Sequence, residues 1–296
     1  MQPATLGLLC ALLAALGFSL KAILVKHAYR YGVDPATLLA LRMLYSLPFF
    51  LTMAVAAQWR EPRRFTAQDW RALVVLGFFG YYASSYLDFL GLQYISAGLE
   101  RVVLFTYPSL VVLLLALSAR RAPERRVLGA LAVCYAGVAL AVWNDRQSGQ
   151  RNLSLGTLLV MGSAVSFALY LWRAAPVLHR LGAVRVTAWG TGVACVMVLL
   201  QFVLLRPVRT LWSQPLTVQL DGIGMALFCT VLPIWLNNHA IRLLGPGRTA
   251  ITSSLGPVLT LFLAWAVLGE PLNWRMVAGA ALVIAGVRWI TQTRRA

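Results

Sequence analysis

Residues 257–287 read PVLTLFLAWAVLGEPLNWRMVAGAALVIAGV, and residues 108–138 read PSLVVLLLALSARRAPERRVLGALAVCYAGV. Each is an apolar run, a short polar turn and a second apolar run rich in small residues. The two align without a gap at a shift of 149 residues. The same shift carries Gly7 onto Gly156, Phe18 onto Phe167, Leu87 onto Leu236, Gly98 onto Gly247, Pro108 onto Pro257 and Gly137 onto Gly286. Glycine and proline have backbone roles that the surrounding leucines and valines cannot take over, so their agreement at one offset marks a duplication. The reading gives two repeats, 1–146 and 147–296.

Composition sets the medium in which these repeats fold. Sixty per cent of the residues are apolar, 12% are charged and the mean hydropathy is +0.74, whereas a soluble domain carries about 25% charge. Runs long enough to cross about 30 Å of hydrocarbon fall near 5–27, 36–58, 70–93, 97–118, 127–143, 154–175, 184–205, 220–242, 247–268 and 273–291. Five spans per repeat is an odd number, so the second repeat enters the bilayer from the opposite side. The expected fold is an all-α integral membrane protein with ten transmembrane helices in two inverted five-helix repeats. That architecture lets two halves rock around a central site.

A net charge of +17 suits nucleic-acid binding only when the cations line one face. Here the arginines stand in short clusters between apolar runs, as in the loops of a membrane protein. With both termini cytoplasmic, the inner segments hold 16 Lys and Arg and the outer segments 8. This asymmetry favours that orientation, and an inner-membrane location follows as the expectation. The N-terminal apolar run has no basic flank and reads as a retained first helix. Cys10, Cys134, Cys195 and Cys229 lie within apolar runs at unrelated spacings, so neither a metal site nor a cofactor is expected. The pairs Ala132/Ala136 and Ala281/Ala285 are small-xxx-small steps, expected where helices five and ten approach closely.

The stretch 257–287, with its weaker copy at 108–138, resembles the C-terminal motif of EamA-type members of the drug/metabolite transporter superfamily. Lys21 and Arg42 resemble recurrent positions of that family's first repeat. The first copy departs from the pattern, with no glutamate where the second has Glu270. The resemblance implies a ten-helix carrier with a central cavity between the halves. The superfamily exports amino acids, drugs and other metabolites.

Ionisable side chains inside a span are costly and mark functional positions. Lys21 lies about 22 Å along helix one at 1.5 Å per residue. Arg42, Asp88, Glu100 and Arg101 fall at similar depth on helices two, three and four. One account has Lys21 and Arg42 snorkelling to the headgroups while Glu100 caps its helix. A second pairs the cations with Asp88. A third has excess positive charge hold the carboxylate of a solute. Tyr81, Tyr82, Tyr107, Tyr170 and Trp235 crowd mid-span positions, with Ser85 beside them, and suit a largely apolar cavity. The second half offers uncharged polarity: Asn237 is the repeat counterpart of Asp88, followed by Asn238 and His239. Asp88 and His239 are candidates for ion coupling, and Pro108 and Pro257 for hinges.

An enzyme needs a nucleophile with a base, paired carboxylates or a metal cluster. The scattered histidines and the lack of GxSxG or HExxH point away from one, and no Walker sequence offers ATP as the energy source. The expected function is a secondary transporter exporting small metabolites, amino acids first, by alternating access. Multidrug export is the close alternative and a membrane-embedded enzyme the remote one. The expected partners are a small-molecule solute and the lipid bilayer, not nucleic acid.

Overall fold

The computed structural model describes residues 3–62, 64–120, 124–147 and 152–293. Arg63, Arg121, Arg151, Arg294 and Arg295, which entered the count of loop charges, lie outside the described residues. The described chain is helical throughout: α1 (Pro3–Tyr29), α2 (Pro35–Arg60), α3 (Ala67–Gly91), α4 (Ala97–Ser118) and α5 (Arg125–Gln147) form the first half. The second half comprises α6 (Leu153–Leu181), α7 (Ala183–Leu205), α8 (Leu216–Leu244), α9 (246–268) and α10 (Trp274–Thr293). Among the described residues nine helices are long and apolar enough to cross a membrane. The expected tenth, α10, is present but is not one of them.

The chain is turned inside out relative to a soluble protein. Leu8, Leu13, Trp59, Leu158 and Leu204 face outward, while Ser19, Arg42, Asp88, Glu100, Ser163 and Thr230 are buried. Outward leucines cost nothing in hydrocarbon, whereas buried polar groups need partners from neighbouring helices.

The two halves are related by a local two-fold axis perpendicular to the helices, legible in single contacts. Helices α5 and α10 run antiparallel. A Cβ on Gly137 would stand 2.6 Å from the Gly279 carbonyl oxygen, and one on Gly286 2.7 Å from the Ala130 carbonyl oxygen. Gly137 and Gly286 are repeat equivalents, as are Ala130 and Gly279, so each contact is the image of the other. Likewise Gly7 of α1 packs on Leu243 and Leu244 of α8, and its counterpart Gly156 of α6 on Tyr94 and Ile95, just beyond α3.

This crossing corrects one expectation. Ala132, Ala136, Ala281 and Ala285 are exposed rather than packed between α5 and α10. Ala281 and Ala285 line an apolar surface groove of about 700 Å³ with Val258, Phe262 and Ile284. An antiparallel two-fold brings together 130 with 286 and 137 with 279, a face of each helix that excludes the two alanine pairs.

Four helices depart from continuous α-geometry. α3 carries a π-helical segment at Phe78–Ala83, and α8 one at the equivalent Leu227–Val231. A third lies at Ala264–Leu268 in α9. α4 is broken between Leu104 and Tyr107, and α9 between Ser253 and Gly256, again at equivalent positions. Pro108 and Pro257 each occupy the second position of the resumed helix. There a missing N–H costs little, and the ring keeps the preceding residues from continuing the helix.

Candidate functional site

The charges expected at one depth meet at one place. Lys21 of α1 extends its Nζ to Asp88 Oδ2 of α3 at 2.5 Å and to Glu100 Oε1 of α4 at 3.2 Å. The lysine side chain is 13% exposed, Asp88 2% and Glu100 0%. The snorkelling account therefore fails for Lys21, whose ammonium turns inward to two acids. It fails equally for Arg42, which is buried on α2. Its Nε donates to the Thr230 hydroxyl of α8 at 3.0 Å, and its guanidinium lies 5.7 Å from the centre of the Phe89 ring. The Thr230 hydroxyl in turn donates to the Met225 carbonyl at 2.9 Å, within the turn where the π segment of α8 displaces the normal ladder.

Glu100 does not cap its helix. That task falls to Ser96, whose side chain accepts from Leu99 N at 3.1 Å, and to two carboxylates brought from elsewhere. Asp145, near the end of α5, accepts from Ser96 N and Ser96 Oγ at 3.0 and 2.6 Å. Glu270, in the loop after α9, accepts from Ala97 N and Gly98 N at 3.0 and 3.3 Å. Anionic oxygens at a helix N-terminus meet both its free N–H groups and its positive dipole. Burial nevertheless pushes the Glu270 carboxyl above its ordinary range, against those two N–H groups and the nearby Lys26 ammonium. Glu270 thus ties the second repeat to the start of α4. The first copy has no glutamate at the equivalent position.

At the place related to Lys21 by the two-fold, an aromatic ring replaces the charge. Tyr170 of α6 is the repeat equivalent of Lys21, and Tyr81 of Thr230. Their hydroxyl oxygens stand 3.4 Å apart, and Tyr170 packs so closely on Gly80 that a Cβ there would be 2.6 Å from its ring. Phe167 stacks on Tyr170 with centroids 5.5 Å apart and meets the edge of Tyr107 at 5.0 Å. Tyr82 stacks parallel to Tyr86 at 6.5 Å, and Ser85 is half-buried between the two π-proximal turns of α3. Tyr81, Tyr107 and Tyr170 are therefore brought together, while Lys21, Arg42 and Asp88 form the charged group.

Other expected residues stand apart. Trp235 is 60% exposed and points out of the bundle, its ring stacked on His239 at 5.5 Å. The π segment just before it rotates the rest of α8 and carries this ring away from the interior, so the structure does not bring Trp235 to either group. Asn237 is half-buried on α8.

Sequence reasoning did not anticipate a set of polar side-chain contacts at the helix ends. His27 Nδ1 of α1 meets Asp221 Oδ2 of α8 at 2.8 Å, and Arg180 of α6 meets Asp69 of α3 at 2.9 Å. The two helix pairs are images of one another under the two-fold, so one latch stands at each end of the bundle. Arg185 with Glu61 at 3.1 Å and Arg206 with Asp34 at 3.9 Å join α7 to α2 in the same paired manner. The available signal was an isolated acid at the start of one helix with a cation at the end of another, a pattern too common to single out.

Comparison with known proteins fits this geometry. The EamA-like transporter family matches residues 5–143 and, a second time, residues 154–292. The chain is 28% identical over 298 residues to the uncharacterized transporter YcbK of Bacillus subtilis, covering 97% of this chain and 94% of that protein. It is 26% identical to the uncharacterized transporter sll1319 of Synechocystis, covering 94% and 91% of the two chains. One solved crystal structure superposes with a TM-score of 0.65 at 18% identity, covering 98% of this chain and 97% of that one, which supports the fold. With the family model matching both halves, this chain belongs to the EamA-like transporter family of the drug/metabolite transporter superfamily, a multi-pass membrane transporter and not an enzyme.

Proposed function

We propose that this protein is a ten-span secondary transporter of the inner membrane, with cytoplasmic termini, that exports small metabolites by alternating access. Amino acids are the first class of solute. One observation carries the reading: Lys21, Asp88 and Glu100 form a buried group of charges with Arg42 beside them, whereas Tyr170, the repeat equivalent of Lys21, stands among the rings of Tyr81, Tyr107 and Phe167. Such a pair of environments suits a solute with a charged head and an apolar body. The repeats 1–146 and 147–296 supply the two moving bodies. The breaks before Pro108 and Pro257 stand at equivalent places in both and serve as hinges. Polar contacts at both ends of the bundle, His27 with Asp221 and Arg180 with Asp69, suit latches that open in turn. Asp88 is the stronger coupling candidate because it is buried beside a lysine, whereas His239 stacks against the outward-facing Trp235.

The aromatic group also supports a second reading, export of amphipathic drugs, which need ring surfaces more than a fixed ion pair. Flux into proteoliposomes holding the purified protein separates the two, with a panel of amino acids, nucleosides and cationic dyes measured with and without a proton gradient. Amino-acid flux is expected. Dye flux alone selects the second reading, and flux of no solute under either condition overturns both.

A further inference from the structure

The apolar groove between α9 and α10 carries a charge at one end. Val258 and Phe262 of α9 and Val277, Ala281 and Ile284 of α10 line it, and its end toward the C-terminus is formed by Arg288 and Trp289. Ala280 is buried beneath it, whereas Phe262 and Trp289 stand out, 56% and 44% exposed. From Val277 to Arg288, α10 rises by about 16 Å at 1.5 Å per residue. That is roughly half of a hydrocarbon layer about 30 Å thick, the length that one lipid chain covers. The groove faces the bilayer and is separate from the buried group around Lys21.

The first repeat is built differently at the image of this place. Shifted by 149 residues, Arg288 becomes Ala139, Trp289 becomes Leu140 and Ile284 becomes Tyr135. Tyr135 packs with Val112 and Leu113 against the buried residues of α5. A tyrosine ring and an alanine thus stand where the second repeat has an open wall and a guanidinium.

The charged end of the groove is also a cationic end of the bundle. α5 runs antiparallel to α10, and a Cβ on Gly129 would stand 3.6 Å from Cη2 of Trp289. Arg125 and Arg126, one turn before Gly129, are exposed at this level, with Glu124 the one acid beside them. An arginine on its long aliphatic stem reaches headgroup level, where tryptophan is also at home. Each Lys or Arg near the surface strengthens the hold on an anionic headgroup about fivefold.

We propose that this groove binds one anionic phospholipid, with an acyl chain lying between α9 and α10 and the headgroup phosphate paired with Arg288 beside Trp289. The apolar walls take the chain and the guanidinium selects the headgroup. The chain lies against Val258, next to Pro257 at the break of α9, so the lipid adjoins the hinge of the second repeat and has no charged counterpart at the first.

The test uses the full-length protein in phosphatidylcholine nanodiscs and two photoreactive probes at equal, low mole fraction. These are phosphatidylglycerol and phosphatidylcholine, each with a diazirine midway along one acyl chain. Labelling is mapped at residues 258–262 and 277–289, with the exposed face of α7 around Val196 and Leu200 as the reference surface. In the wild type, phosphatidylglycerol should label the groove about fivefold more than phosphatidylcholine, relative to that reference. Arg288→Ala, which copies the first repeat at this position, should bring the ratio close to one. Arg288→Lys should keep most of it, since a point charge also pairs with phosphate. Ala285→Phe fills the groove from an exposed position and should lower labelling there by both probes, with α7 unchanged. A wild-type ratio near one overturns the proposal, as does a ratio that survives in Arg288→Ala or groove labelling that persists in Ala285→Phe. A second copy of the chain is the competing occupant. Disulfide-linked dimers of Ala281→Cys, together with wild-type groove labelling no greater than that of α7, would assign the groove to that copy and overturn the proposal.

Discussion

Replacing Lys21 with methionine isolates the electrostatics of the buried group, because the side chain keeps its length and loses only its charge. Lys21 holds Asp88 at 2.5 Å and Glu100 at 3.2 Å. At an effective dielectric constant of about 20, a pair at roughly 3 Å attracts by about 5 kcal/mol, and desolvation of the ions offsets most of this. Both acids contact the same nitrogen, so their oxygens lie within about 6 Å of each other and repel by roughly 3 kcal/mol once that nitrogen is gone. Lys21→Met should therefore destabilise the fold by about 3–5 kcal/mol, the usual consequence of stripping one partner from a buried pair. Adding Glu100→Gln removes the repulsion and should restore about 2–3 kcal/mol, although Glu100→Gln alone, which takes a partner from Lys21, should be destabilising. Reversible unfolding in mixed micelles, followed by tryptophan fluorescence, measures all four corners of this double-mutant cycle. The reasoning fails if Lys21→Met costs less than about 0.5 kcal/mol. It fails equally if Glu100→Gln costs as much in the Lys21→Met background as in the wild type.

Two further predictions concern the scaffold around that group. Gly137→Val places a side chain where even a Cβ meets the Gly279 carbonyl at 2.6 Å; it should destabilise by about 2 kcal/mol or more in the same unfolding assay, and Ala132→Val, on the exposed face, should not. The Glu270 carboxyl is raised by burial, so the folded state binds its proton more tightly than the unfolded chain does. Stability from this group is complete below the ordinary carboxylate range and falls as pH rises through the elevated folded value. The stability difference between the wild type and Glu270→Ala, read by thermal unfolding across a pH series, should therefore shrink as pH increases; a difference that grows with pH refutes it.

What the sequence discloses here, and what it hides, follows from the range over which each feature acts. The two repeats are legible because glycine and proline act on their own backbone. Pro108 and Pro257 break their helices at equivalent points, and Gly137 and Gly286 accept carbonyls at equivalent crossings. The depth of Lys21, Asp88 and Glu100 is equally a matter of counting rises along straight helices, and their meeting follows. Facing is another matter, since it depends on helical phase. The π segments at Phe78–Ala83 and Leu227–Val231 change that phase midway along α3 and α8. A 3.6-residue count carried through them drifts in phase for the side chains beyond. Beyond these segments equivalence fails too: Trp235 points to the outside, whereas its repeat equivalent Tyr86 packs on the core. Partnership is harder still. Asp145 and Glu270 both look like loop-edge acids in sequence, yet both cap α4, one of them from 173 residues away. In sequence Arg101 reads as one more charge at the depth of Lys21, Asp88 and Glu100. The property that distinguishes it, a buried donor without an acceptor, exists only after every other residue has taken its place. In a duplicated carrier, symmetry is therefore written locally and can be read from the chain. The departures from symmetry, where a solute is told from its competitors, are written between helices.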